Sequence, residues 1–419
     1  MDASPLKLIP ISGYGGGRFQ VPGGKKAGGF GLESVLIHRR IMLSSGFQIF
    51  RQGSAAVSQT IQAALQQAEA FLRVGKTAEV RQIAAWVAAK VGLGNPLEAV
   101  EAMRRAALLD PTSAEVALSH SRALAAAGLF DAAIAVLDDL IEAGHGNDAV
   151  VAWRGKLVST PCFPGLQGAH APERQVYMSA VVHMLGGTGL PVSILEVGTF
   201  MGASMVTWAR AIEHFAGGIG EICCVDPWES ADLSQYGEGM AADLQCGVAY
   251  RVFLNALAFV PEGIKVTERR GFSDQVLPSL AGRTFDIIYI DGCHLHPEVL
   301  HDLQACDTLL AEGGYLCGDD LEVQLHETDA AFVAAHARAD FAQDPRSGEG
   351  FHPGVTLGVG TFLGPVSVYG GFWVVRKTKD GYRPVEMTGK GLLPYHWPQD
   401  FIDRAARAVR EAGWLSEVL

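Results

Sequence analysis

Two short stretches of this sequence gather residue types that handle charge and protons. Asp291-Gly292-Cys293-His294 closes the apolar run FDIIYID (285–291), and Gly318-Asp319-Asp320 closes the run GGYLCGD (313–319). Apolar runs of this length read as buried strands, so Asp291, Asp319 and Asp320 fall at strand ends. Three carboxylates brought together repel one another and resist ionisation unless a cation shares them. An all-oxygen set suits Mg²⁺, with Mn²⁺ as a substitute, and leaves positions for water and substrate oxygens. The competing reading makes Asp319 and Asp320 caps of a following helix, and Asp291 the partner of a backbone amide. His294, three residues beyond Asp291, could reach a hydroxyl that the same cation holds. His296 is the competing base, while His301 falls farther along the next helix.

A third stretch, Leu195-Glu196-Val197-Gly198-Thr199-Phe200-Met201-Gly202-Ala203-Ser204, is an E-x-G-x-x-x-G turn between a strand and a helix. Glycines there let backbone approach a ligand without a Cβ collision. The spacing is not the G-x-G-x-x-G of dinucleotide sites. The following strand ends in Val225-Asp226-Pro227-Trp228. An acid at that place can accept two ribose hydroxyls, and Trp228 is expected to offer a flat face nearby.

These residues need a scaffold, and its pattern is legible from about residue 57 onward. Residues 1–56 are a Gly-rich arm with GYGGGRF and GGKKAGGFG close together, too poor in aliphatic residues to bury much. Residues 57–158 read as helices with one internal period: Gly94 and Gly128, Ala99 and Ala133, Met103 and Leu137, and Ala106 and Leu140 are each 34 apart. That period belongs to helix-turn-helix repeats. Only two units register well, so flanking helices at 57–73 and 147–158 are expected to complete the layer. STPCFPGLQG (159–168) reads as a linker. From 169 to 419 strands alternate with helices: VSILEV (192–197), EICCVD (221–226), GIKVTE (263–268), FDIIYID and GGYLCGD, with helices beginning near Ala203, Met240, Ser273, Pro297 and Leu321. Continuous apolar strands of this kind form a parallel sheet covered on both faces. Strands near 354–363 and 371–376 are expected to close it as an antiparallel hairpin. Gly350-Phe351-His352-Pro353 before them reads as a turn, with His352 a lesser candidate for a polar contact, and the tail from Pro398 reads as a helix.

Length and charge bound the rest. At roughly 150 residues per domain, 419 residues suggest two or three domains. Lys and Arg total 33 against 45 Asp and Glu, a net charge of −12, which argues against a surface built to neutralise nucleic acid or anionic lipid. No apolar run approaches the roughly 20 residues of a membrane span. The amino terminus lacks a secretory pattern, and seven Cys in no ladder fit reduced thiols, so a cytoplasmic setting is expected.

The E-x-G-x-x-x-G turn together with Asp226 resembles the class I S-adenosylmethionine-dependent methyltransferases over about residues 170–378. That resemblance implies a Rossmann-like α/β sheet, five parallel β-α units plus a terminal antiparallel hairpin, here preceded by an all-α region similar to tetratricopeptide repeats. Pro111 stands where that repeat family ends its second helix, and His145 departs from it in the next copy. By the methyltransferase likeness Gly198, Gly202 and Ser204 line the methionine moiety, and Glu196 braces the turn or contacts the amino acid part. Asp226, with Trp228 beside it, holds the ribose, Ser273 and Asp274 approach the adenine, and Asp291 borders the cofactor. FDIIYIDGCH…GGYLCGDD is similar to metal-dependent sugar O-methyltransferases of macrolide tailoring, which implies Asp291, Asp319 and Asp320 as metal ligands and His294 as the base. The metal-dependent catechol enzymes carry a Lys near the His294 position and Asp-Asn in place of Asp319-Asp320, so the departures favour a sugar-like acceptor. A nicotinamide-dependent oxidoreductase fits less well, because the first turn lacks its glycine spacing. An inert sheet domain with a partner-binding or self-associating repeat is the remaining alternative.

Overall fold

The computed structural model describes residues 59–90, 96–159, 171–186, 191–229, 244, 247–397 and 399–419. The chain divides into Met1–Ser54, which lies outside the described residues together with the Gly-rich arm, and Ala55–Leu419, one compact unit. The 159–168 linker also falls outside them, apart from Ser159 at a helix end.

Six helices open the described chain: α1 (Gln59–Arg73), α2 (Thr77–Lys90), α3 (Pro96–Leu109), α4 (Ala114–Ala126), α5 (Phe130–Glu142) and α6 (Asp148–Ser159). The 34-residue period maps α3 onto α5 and α4 onto α6, and the two flanking helices are present. Alanines at the helix contacts, Ala99, Ala102, Ala106, Ala123 and Ala133 among them, are buried and let paired helices approach closely. Pro111 sits in the turn after α3, where Ser113 caps α4 by accepting the Val116 N–H.

Most of the remaining elements build one eight-stranded sheet with helices on both faces, apart from two short two-stranded pairings, 342–343 with 350–351 and 390–391 with 417–418. Its elements are α7 (Arg174–Leu185), β1 (Val192–Val197), α8 (Ala203–Phe215), β2 (Gly220–Asp226), α9 (Val248–Ala256), β3 (Ile264–Arg270), the one-turn helix Ser273–Val276, β4 (Phe285–Ile290), α10 (His296–Leu309), β5 (Leu310–Leu321), α11 (Ala330–His336), α12 (Pro353–Phe362), β6 (Ser367–Tyr369), β7 (Gly371–Thr378), β8 (Gly381–Pro384) and α13 (Gln399–Ala412). The order across the sheet is β8-β7-β5-β4-β1-β2-β3, with β6 also on β7. Strands β1 to β5 run parallel, and β7 runs antiparallel to β5, β6 and β8. The chain winds outward one way through β2 and β3 and the other way through β4 and β5. The crevice therefore opens between the carboxyl ends of β1 and β4, where open α/β sheets take their ligands.

Three expectations from the sequence differ. The strand expected near 354–363 is instead α12, Pro353–Phe362. The run VTLGVGTF is apolar without an alternating period, and its glycines let the helix lie close against its neighbours: a Cβ at Gly358 would meet Val299 of α10, and one at Gly354 would meet the backbone of His294 and His296. The reversed hairpin is β7 with β8 instead. No helix begins at Leu321, because β5 continues to that residue and the next helix starts at Ala330, capped by Asp329. The helix start expected near Met240 falls outside the described residues, and α9 begins at Val248.

One apolar core runs without a break from the repeats into the sheet. Leu124, Phe130, Leu137 and Leu157 of α4 to α6 belong to the same cluster as Val176 and Val181 of α7, Trp208 of α8 and Tyr289 of β4. At the seam Gly128 turns with φ 71°, and a Cβ there would lie 2.9 Å from Arg251 Cβ of α9, so glycine is needed for the close approach. Arg251 Nε donates to Ala127 O at 2.7 Å. The other face of the sheet carries a second core with Leu195, Ile288, Leu303 and Leu316. Among the described residues no helix is long and apolar enough to cross a membrane.

Leu137 is fully buried in the shared core. Leu137→Ala is expected to cost about 2–5 kcal/mol. Because the core is continuous, urea melts followed by far-UV circular dichroism and by Trp fluorescence should shift together. A loss confined to helical signal, with the fluorescence transition unmoved, would show that the repeats unfold on their own.

Candidate active site

The carboxyl ends of the strands are held together by the Gly198 turn. Asp291 N donates to Val197 O at 2.8 Å and Gly198 N to Val225 O at 2.9 Å, so the turn bridges β4 and β2. At φ 88° Gly198 presses against the Asp291 carbonyl, and a Cβ would collide with that oxygen. Gly202, at φ 84°, faces Phe253 and Ala256 of α9. Both glycines thus make room for neighbouring protein, where the sequence suggested room for a ligand.

Asp226 lies at the end of β2, and its carboxylate organises the same turn. Oδ2 accepts from Phe200 N at 2.8 Å and Oδ1 from Trp228 N at 2.6 Å. Burial pushes its pKa up and these backbone donors pull it down, with a net rise. Thr199 supplies a third backbone donor, so one lone-pair site of the carboxylate stays open for a hydroxyl. Trp228 corrects an expectation. Its ring is buried, 4.5 Å from Phe253 and 5.2 Å from Tyr250 between ring centres, with Nε1 donating to Phe200 O at 2.5 Å. It supports the turn and offers no open face.

Glu196 is fully buried. Thr199 Oγ1 donates to it at 3.0 Å, and Ser204 adds a side-chain hydrogen bond. Burial outweighs these donors and pushes its pKa up to about 7. Ser273 and Asp274 open the one-turn helix after β3, where Ser273 hydrogen-bonds the buried Asp302 of α10. That bond ties the β3 loop to α10.

Asp291, Asp319 and Asp320 do come together, each offering an oxygen within 4.8 Å of the others. A regular strand sends consecutive side chains to opposite faces. Here the pairing of β5 with β7 slips between Gly318 and Leu321: Gly318 opposes Trp373 and Leu321 opposes Gly371, so two acids face one partner residue. Such a bulge re-aims side chains, and Asp320 sits in it at φ 62°. The helix-capping alternative for the pair is excluded, since both acids belong to β5.

The chain itself supplies a cation that the sequence reading missed. Arg174, at the first turn of α7, forms an ion pair with Asp319 through Nη1. Although burial opposes its charge, Tyr289, Asp291 and Asp320 raise its pKa. Tyr289 OH donates to Asp291 Oδ2 at 3.0 Å. Asp291 is raised, by burial above all, with Arg174 pulling it down, whereas Asp320 is lowered by its hydrogen bond to His294 and by nearby cations, against its burial. Three carboxylates and one guanidinium leave two negative charges and an all-oxygen donor set. That set fits a hard divalent cation such as Mg²⁺.

His294 stands at this cluster, with Nε2 3.0 Å from Asp320 Oδ2 and Nδ1 2.8 Å from Asp340 Oδ1. Burial alone would lower its pKa, yet the two carboxylates hold it well above the ordinary imidazole value. His352 also belongs here. It is the residue before α12, bonded to Glu322 at 3.0 Å, and its ring meets that of His294 edge-on at 4.6 Å. By contrast, His296 opens α10, and His301 lies along that helix beside Asp302 at 3.5 Å.

The buried Glu196 generates a pH test. Its folded pKa lies above the unfolded value of about 4.3, so its contribution to stability is full below that value and is lost as pH rises toward 7. Glu196→Gln removes the titration. Urea unfolding at pH 4.5 and pH 8 should show the variant gaining on the parent as pH rises, by up to about 3 kcal/mol; a difference independent of pH would refute the raised pKa.

Comparison with known proteins agrees with the two-part layout. Residues 195–321 match the model of a methyltransferase domain family, and residues 91–157 match that of a tetratricopeptide repeat. No curated protein matches the chain. Among solved structures, CalS11, a TDP-rhamnose 3′-O-methyltransferase of calicheamicin biosynthesis, is 17% identical, covering 50% of this chain and 80% of its own at a TM-score of 0.31. The O-methyltransferase NovP is 15% identical, covering 54% and 94% at 0.34, and one from Bacillus cereus with SAH is 19% identical, covering 42% and 68% at 0.26. Likenesses of that size carry no weight for the substrate. The chain carries a methyltransferase domain at 195–321, preceded by a tetratricopeptide repeat at 91–157.

Proposed function

We propose that this protein is an S-adenosylmethionine-dependent O-methyltransferase that uses Mg²⁺ and acts on a hydroxyl of a sugar or glycosylated metabolite. The observation that carries the reading is the bulge that aims Asp319 and Asp320 at Asp291, beside the turn that Asp226 organises. When bound, the cofactor would supply an electrophilic sulfonium methyl. A Mg²⁺ ion would be held by Asp291, Asp319 and Asp320, and would supply charge stabilisation to an adjacent hydroxyl oxygen.

The chain's own residues do the rest. Asp226 binds a ribose hydroxyl through its remaining lone-pair site, and Ser273 and Asp274 border the adenine. Gly198 and Gly202 shape the turn, and Glu196 with Ser204 braces it. These contacts hold acceptor oxygen and methyl donor in line, which is the main source of rate for such a transfer. His294 is the base. Asp340 fixes its Nδ1 as a donor, and Nε2, which shares its proton with Asp320, would become the proton acceptor once Asp320 is engaged by the cation and that proton has left. Arg174 keeps three acids compatible in one place. A vicinal diol, as in a sugar, matches a chelating site with open positions, and the absence of a Lys at position 294 sets the site apart from the catechol pattern. The packing of α4 to α6 into the shared core favours a supporting role for the repeats; a protein partner or self-association through their outer surface accords with the repeat class.

Calorimetric titration of the full chain with S-adenosylhomocysteine in the presence of Mg²⁺ tests the cofactor half. One site per chain is expected, weakened about 10–100-fold by Asp226→Ala, the loss of roughly 1.5–3 kcal/mol of hydrogen bonding. With a panel of glycosides and labelled cofactor, His294→Ala should lower turnover by roughly 10²–10⁴-fold with little change in cofactor affinity. Absence of binding by folded parent protein would remove the reading.

A further inference from the structure

We propose that His294, His352 and Asp320 form a second cation site, suited to a borderline transition-metal ion of the Zn²⁺ class and sharing Asp320 with the all-oxygen site. The three residues come from separate elements: the loop after β4, the residue before α12, and the bulge of β5. Each offers a ligand atom within 4.8 Å of the other two, and all three side chains are partly open to solvent.

The imidazoles are prepared as metal ligands commonly are. Asp340 Oδ1 lies 2.8 Å from Nδ1 of His294, and Glu322 Oε1 lies 3.0 Å from Nδ1 of His352. An ionised carboxylate only accepts, so Nδ1 of His294 carries a proton for Asp340, and its Nε2, which faces Asp320, is the nitrogen that would trade its proton for a metal; His352 approaches Asp320 with Nδ1, 4.0 Å from Oδ1. A carboxylate behind the ligating histidine orients the ring and raises its basicity. The backbone N–H of His352 also donates to Glu322, at 3.2 Å, which fixes that carboxylate as well. The gap between His294 Nε2 and Asp320 Oδ2 is 3.0 Å. Two ligand atoms about 2.0–2.1 Å from one tetrahedral zinc ion stand roughly 3.3–3.4 Å apart, so the pair would open by only a few tenths of an ångström to take one. Asp320 is held at φ 62°, a conformation that a non-glycine residue adopts only where its surroundings impose it.

The donor set decides the ion. Two nitrogens and one carboxylate suit Zn²⁺, Co²⁺ or Ni²⁺, whereas Mg²⁺ takes oxygens. Asp291 and Asp319 belong to the other group, so the two sites differ in ligand chemistry and meet only at Asp320. An ion here would occupy the His294 nitrogen that the proposed methyl transfer uses, so Zn²⁺ would inhibit that reaction; this consequence alone rests on the proposed function.

Cobalt titration of the untagged full chain, with excess Mg²⁺ present, tests the site through its visible ligand-field absorption. One equivalent of Co²⁺ should bind and be displaced by Zn²⁺. His352→Ala and His294→Ala, checked for native circular dichroism, should abolish the band, Glu322→Gln should weaken binding about 10–100-fold, and Asp291→Asn should leave the band in place. His352→Gln serves where the Ala variant fails to fold. A band that survives His352 substitution, its disappearance in Asp291→Asn, displacement of Co²⁺ by millimolar Mg²⁺, or no band at all would overturn the proposal. The readout is independent of methyl transfer, so failure of the enzyme reading and failure of this one are separable.

Discussion

The gathering of like charge at the carboxyl ends of β4 and β5 is the condition that the rest of the site answers to. Three carboxylates within reach of one another, with Asp319 buried, are stable as anions only if positive charge and hydrogen-bond donors come to them. Arg174 brings the charge, Tyr289 brings a donor to Asp291, and His294 brings another to Asp320. Each of these comes from a different element, so the cluster fixes how α7, β4 and the loop before α10 must meet. Gln175 to Val182 of α7 are buried in unbroken succession, and Arg174 stands at the end of that apolar rod, where the acids hold it.

A second constraint is backbone proximity. The turn after β1 lies against the Asp291 carbonyl, which no residue with a Cβ would permit at position 198. Asp226 then gathers the N–H groups of Phe200 and Trp228, and the Trp228 ring fills the space beneath, against α9. The turn is shaped by three neighbours, and its openness to a ligand is what remains after they have been accommodated.

What the sequence disclosed follows from which interactions are local. Strand ends could be read because continuous apolar runs stop at an acid, and so Asp226, Asp291 and the Asp319-Asp320 pair were placed correctly at the ends of their strands. The helical repeats could be read because their period is written in small residues. Residues 354–363 could not, since an apolar run rich in glycine lacks both the helical and the alternating period. Arg174, Asp340 and Glu322 also escaped notice. Each is an ordinary charged residue until tertiary packing sets it against His294, His352 or Asp319, and the chain distance from Arg174 to Asp319 carries no signal. A clue did exist for the bulge: two adjacent acids cannot serve one site from a regular strand. Trp228 was misjudged because sequence position next to Asp226 says nothing of which side its ring turns to.

The continuous core has a consequence for modularity. Chains that join a repeat to a catalytic sheet are often pictured as beads that could be separated or exchanged. Here Leu124, Phe130 and Leu137 are buried in one cluster with residues of α7, α8 and α9. Severing the chain between residues 159 and 171 would leave an apolar wound on both halves, each prone to self-adhesion in water. A recombination event that transplanted the catalytic half alone would have to carry a new cover with it. The repeat and the sheet are therefore one piece of architecture, joined through a shared interior.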